Sequence, residues 1–135
     1  MSQSIHFGRI KYFSEEFTKN RKYADVLQEL KKILEKEEKV DETLQDKFTE
    51  DIKLTCININ AYGEIEKLLK TGSEIQLHPK SRYYFVNETI WELIEEKIFQ
   101  ESKQVETKKD YYEIVEDYIT IKDFFKKKVL VFEVS

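Results

Sequence analysis

SEIQLHPKSRYYFVNETIWELIEEKIFQ, residues 73 to 100, shifts its apolar spacing from two to three or four partway along, and the fold class turns on that shift. Glu74 to Leu77 and Arg82 to Val86 alternate or cluster branched and aromatic residues, the pattern of short strands. Between them His78-Pro79-Lys80-Ser81 supplies a turn, because proline fixes its own φ and has no amide to give a ladder. A β-hairpin is the economical reading. After Asn87 the rule changes: at about 100° per residue, Ile90, Trp91, Leu93, Ile94 and Ile98 fall within one arc of a helix. That helix is predicted from Glu88 to about Gln104. Asn87 is its expected cap, able to accept a bond from an unpaired first-turn amide, and Glu88 adds negative charge at the positive end of the helix dipole.

Upstream, IHFGRIKYF alternates imperfectly around Gly8 and predicts a strand within Ser4 to Phe13, with a bulge or close contact at the glycine. From Lys22 to Glu38, Tyr23, Val26, Leu27, Leu30, Ile33 and Leu34 recur at three and four residue steps, the plainest amphipathic helix in the chain. TLQDKFTED then offers Leu44 and Phe48 one turn apart, enough for a short helix before Ile52. IKLTCINI, in Ile52 to Asn60, is rich in branched residues and reads as a buried strand with a face switch near Cys56; a continued helix is the alternative. Gly63 to Lys70 reads as a short helix stopped by Gly72, a residue able to take the left-handed conformation of many helix ends.

Downstream, Lys109 to about Thr120 places Tyr111, Ile114, Val115, Tyr118 and Ile119 along one side of a further helix. The closing KVLVFEV is apolar almost throughout, as a strand covered on both faces would be. Helices and strands without regular alternation predict an α+β fold: one domain over residues 1–135, with about four to five helices on a small mixed or antiparallel sheet. Leu27, Leu30, Leu34, Ile94, Ile98, Val131 and Phe132 are expected in a single core.

Composition agrees with an ordered domain. The chain has 135 residues, 40% hydrophobic and 37% charged, with three glycines and one proline, so it can bury a core and has little material for long loops. Its formal charge of -4 is interspersed, which makes nucleic acid a poor partner and suits a basic protein partner better. Cys56 is the only cysteine, so no internal disulfide forms and a reducing, cytoplasmic setting is expected. No apolar run reaches membrane-spanning length, and no membrane association is expected. The sequon Asn87-Glu88-Thr89 fits a helix cap better than a glycan site in that setting.

The sequence holds no phosphate-binding glycine loop, no nucleophile elbow and no paired-histidine zinc motif, and its glycines at 8, 63 and 72 stand too far apart to cradle a phosphate. His6, His78 and Cys56 read as strand and turn residues rather than as ligands or a nucleophile and its base. Paired acids such as Glu37 with Glu38 and Glu95 with Glu96 serve acid and base roles only where burial or proximity moves their pKa values. No catalytic, cofactor or metal residue is assigned. Lys126-Lys127-Lys128, with Lys108, Lys109 and Lys122, stands near Tyr111, Tyr112, Phe124 and Phe125. Basic with aromatic is a single-strand-binding pattern, but most of these rings are expected on the core side of their helix, with the lysines guarding the apolar last strand against aggregation.

YYFV, a polar turn, Trp91 and Leu93 opening a helix, and KVLVFEV, in that order, resemble the second half of the DUSP domain found in ubiquitin-specific proteases. The resemblance covers about half the chain, lacks that family's tryptophan-rich opening, and implies a protein-interaction module. In size, charge and missing catalytic motifs the chain also resembles small acidic inhibitor or immunity proteins, which cover the active surface of a toxin or a defence nuclease. The expected function is accordingly a non-catalytic, protein-binding one against a basic partner enzyme, with a small enzyme or small-ligand binder as the alternative. On the helix opened by Asn87, Trp91 falls inside the apolar arc, whereas Phe99 falls on the side of Glu88, Glu92 and Glu95. An aromatic residue ringed by acids has the anatomy of an interface anchor. Phe99, Glu92, Glu95 and Glu88 are therefore the expected partner-binding residues.

Overall fold

The computed structural model of the chain describes residues 5–36, 48–53, 62–79 and 81–134. Their elements are β1 (Ile5–Ile10), α1 (Glu15–Lys19), α2 (Tyr23–Glu35), β2 (Thr49–Lys53), α3 (Tyr62–Lys70), β3 (Ser73–His78), β4 (Ser81–Phe85), α4 (Glu88–Ser102), α5 (Lys108–Lys126) and β5 (Leu130–Val134). The five strands form one sheet in the order β2-β1-β5-β4-β3 with every neighbouring pair antiparallel. The fold is α+β.

β5 occupies the middle of the sheet, which is why LVFEV is apolar at nearly every position: Leu130, Phe132 and Val134 face one side and Val131 the other, all buried. The expected hairpin forms from β3 and β4, with Ile75 opposite Tyr83 and His78 opposite Ser81. Gly8 marks an irregularity, as its place in the pattern suggests. The β1–β2 register slips between Phe7 and Arg9, where β2 spends one residue more than β1, while the β1–β5 register runs unbroken.

The expectation of one core is corrected to two. On one face Ile5, Phe7, Tyr84 and Phe132 of the sheet pack with Ile65 and Leu69 of α3, Ile90, Ile94 and Ile98 of α4, and Ile121 of α5. On the other face Ile10, Ile75, Tyr83, Phe85 and Val131 pack with Val26 and Leu30 of α2, with Leu27 and Leu34 at the margin. Helices on both sides of the sheet thus split the seven expected core residues into Leu27, Leu30, Leu34 and Val131 on one side, and Ile94, Ile98 and Phe132 on the other.

Other expectations shift at their ends. Thr49–Asp51, assigned by pattern to a short helix, is strand, paired with β1. Phe48 of that segment is buried in the core on the α2 side, while Thr43 to Lys47, and Leu54 to Asn60 with Cys56, lie outside the described residues. A short helix over Glu15–Lys19, capped by the Ser14 hydroxyl accepting from the Phe17 amide, has no apolar period to announce it. Gly72 does not take a left-handed conformation. It is required by crowding instead, since a Cβ there would stand 2.9 Å from the Phe85 carbonyl oxygen and 3.2 Å from that of Leu69. The positive φ falls on Lys128, at 60°, where α5 ends. There the amides of Lys128 and Val129 donate back to the carbonyls of Phe125 and Phe124, at 2.9 and 3.0 Å, the paired closure in which glycine is usual.

A candidate binding groove at the head of helix α4

Asn87 ends the run out of β4 and starts α4: its side-chain oxygen accepts from the Ile90 amide at 2.9 Å. This cap fixes the first two turns of α4, and their outward side carries Glu88, Glu92 and Glu95 at helical spacing. Those three carboxylates line one side of an open groove of about 800 Å³. The end of α5 contributes Lys122, Phe125 and Lys126, the turn after it Lys128, and the start of α2 Lys22, Tyr23 and Ala24. The groove is acidic along α4 and basic along α5 and the head of α2.

Between these walls are aromatic rings. Trp91, the only tryptophan, is 6% exposed and packs against Phe125 at 5.1 Å between centroids. Its ring also stacks parallel to Tyr118, at 6.4 Å and 9°. Tyr23 stacks on Phe85 of β4 at 5.0 Å, tying α2 to the sheet on the other flank. Burial pushes the Tyr23 phenol far above its ordinary pKa. Tyr118 is raised too, first by desolvation and then by its bond to Glu95, whose carboxylate accepts from the Tyr118 hydroxyl at 2.7 Å; Lys122, 5.6 Å from the ring, opposes the rise.

The structure brings Glu88, Glu92 and Glu95 into the groove and leaves Phe99 outside its lining. Phe99 lies further along α4, 44% exposed, with its ring 4.9 Å from Tyr118. Trp91 belongs to the core, as its place in the apolar arc implies. The groove's basic wall was not anticipated, because Lys22 and Lys128 are more than a hundred residues apart in sequence and meet only through the fold. Within the lysine run the three side chains diverge. Lys127 pairs with Glu15 at 3.2 Å and Asp123 at 3.1 Å, bonds that raise its pKa, with Asp123 the larger cause. Lys128 reaches the Thr18 carbonyl at 3.2 Å, and Lys126 faces the groove.

The α5 aromatics also need correction. Tyr111 and Tyr112 are exposed, at 44% and 61%, rather than set against the core. The reason is the helix's length: α5 continues to Lys126, and Ile121, Phe124 and Phe125 in that added stretch take the core side together with Ile114. Ile119 is turned outward by the same geometry. His6 is half-buried on β1 opposite Glu133, while the Cys56 and His78 side chains lie outside what is described. Among the described residues no cluster of three or more His, Cys, Asp or Glu is placed to hold a metal ion, and no helix is long and apolar enough to cross a membrane. No family model, curated protein or solved structure matches this chain.

Proposed function

We propose that the chain is a non-catalytic protein-binding domain, an inhibitor or immunity-type protein that covers a basic enzyme, and that the groove at the head of α4 receives a segment of that partner. The observation that carries this reading is the groove's composition: aromatic rings of Trp91 and Phe125 beside the three carboxylates of Glu88, Glu92 and Glu95. A partner residue with an apolar stem and a cationic head satisfies both at once. Its stem displaces water from the rings and its charge meets the acids. The lysines opposite suit the carbonyls or acids of the same segment, giving the segment one direction of entry. Phe99, one to two turns beyond, supports the rim through Tyr118.

A small-ligand reading rests on one specific observation, that about 800 Å³ lies within the usual range of small-molecule sites, ~300–1,000 Å³. Purification from the native cell followed by mass spectrometry under native and denaturing conditions separates the two. A protein partner lost on Glu88→Lys with Glu92→Lys, and shifting the Trp91 emission when it binds, supports the protein-binding reading. A retained metabolite with no protein partner overturns it.

A further inference from the structure

Away from the groove, α5 presents an exposed apolar strip. Tyr112 is 61% exposed and Ile119 60% exposed. They stand seven residues apart with half-buried Val115 between, a three-and-four spacing that sets all three on one side of the helix. Tyr111, 44% exposed, widens the strip, with its ring 5.9 Å from that of Tyr112. Apolar groups this exposed and this contiguous mark a surface that associates.

We propose that this strip is a self-association surface, on which a second copy of the chain lays its own α5 antiparallel. The strip is self-complementary in that direction. With a two-fold axis near Glu116, Tyr112 of each copy meets Ile119 of the other, and Val115 lies beside the axis. The charges at the ends agree. Lys108 and Lys109 at the start of α5 come against Asp123 near the end of the second copy's helix, whereas a parallel pairing sets lysine on lysine. Of the basic groups near that end, Lys122 lies over the Tyr118 ring at 5.6 Å and Lys126 lines the groove, while Lys127 is shared between Asp123 and Glu15, one base between two acids, so this end keeps a net negative charge. Antiparallel helices also oppose their dipoles. Glu116 on the axis faces its own copy, a repulsion that keeps the pairing weak and dependent on concentration, as a contact of essentially one helix per copy would be.

Sedimentation velocity from about one to several hundred micromolar tests this, a range spanning weak association. The mass average is expected to rise towards twice the chain's own. Ile119→Glu and Tyr112→Glu should each weaken the association at least about tenfold, with unchanged melting midpoints, because both side chains are mostly in solvent. Asp123→Lys should weaken it and Lys109→Asp in the same chain should restore it. Glu116→Gln should strengthen it, an effect that no hetero-partner predicts. A monomer across the whole range, or a dimer indifferent to Ile119→Glu, overturns the proposal. None of these positions lines the groove, so failure here leaves the groove reading standing, and loss of groove binding leaves the dimer standing.

Discussion

Replacing Leu30 with alanine is expected to weaken the packing of α2 on the sheet. Leu30 is fully buried (0% exposed) among Val26, Phe85 and Val131 on the α2 side of the sheet. The substitution deletes three carbons from that contact. At ~0.8 kcal/mol for each buried methylene-sized group, transfer alone amounts to about 2.4 kcal/mol. If about 50 Å³ stays unfilled, the cavity adds ~1.2 kcal/mol at 24 cal/mol per Å³. The sum, about 3.6 kcal/mol, lies inside the ~2–5 kcal/mol seen for buried leucines. For a chain of 135 residues, an unfolding entropy of ~2.1 cal/mol/K per residue converts this to a fall in Tm of about 13 °C. Thermal and urea denaturation followed by far-UV circular dichroism give the measurement. Leu27, only half-buried at the margin, is the internal control, and Leu27→Ala should cost less than half as much. An unchanged midpoint for Leu30→Ala, or equal losses at both positions, refutes the placement of α2.

Three further outcomes follow from local geometry. Asn87→Ala removes the acceptor of the Ile90 amide and should destabilise by about 1 kcal/mol in urea titration, with Asn87→Ser recovering most of it. At position 128 the usual order of Ala over Gly should invert: Lys128→Ala and Lys128→Gly lose the same bond to Thr18, but only glycine relieves the φ of 60°, so the Gly variant should be the more stable by roughly 1 kcal/mol. Tyr23 and Tyr118 have folded pKa values above the unfolded value, so each contributes stability that is whole below about pH 10 and lost as pH rises further. Ultraviolet titration should find both phenols ionising late, and Tyr23→Phe should lessen the alkaline loss of stability.

The parts of the fold legible in sequence are those where one face is buried and the other wet. Helix α2 declares itself because Val26 and Leu30 point inward while Asp25, Gln28 and Glu29 do not, and β5 because a central strand has no wet face at all. What stayed hidden is which side of the sheet each helix takes. Helical spacing states that Leu30 and Ile94 are each buried; it holds nothing that distinguishes one layer from another, and the sheet has two faces to fill. The turn at Lys128 was hidden for a different reason. Sequence signals for a left-handed helix end are written in glycine and asparagine, and here a lysine occupies the position.

The candidate site was legible along α4 and nowhere else, since Glu88, Glu92 and Glu95 share a side by helical spacing alone. Its other wall depends on a long-range closure, the path from α5 through Lys128 into β5, which brings Lys122, Lys126 and Lys128 beside the head of α2. The acidic neighbours of Phe99 mark it as a surface residue, but its placement follows from Tyr118 on the next helix. That tyrosine holds Glu95 by its hydroxyl, stacks on Trp91 and meets the Phe99 ring at a tilt. Tyr118 therefore stands between the groove and Phe99, bonded to Glu95 on the groove side and in ring contact with Phe99 on the other.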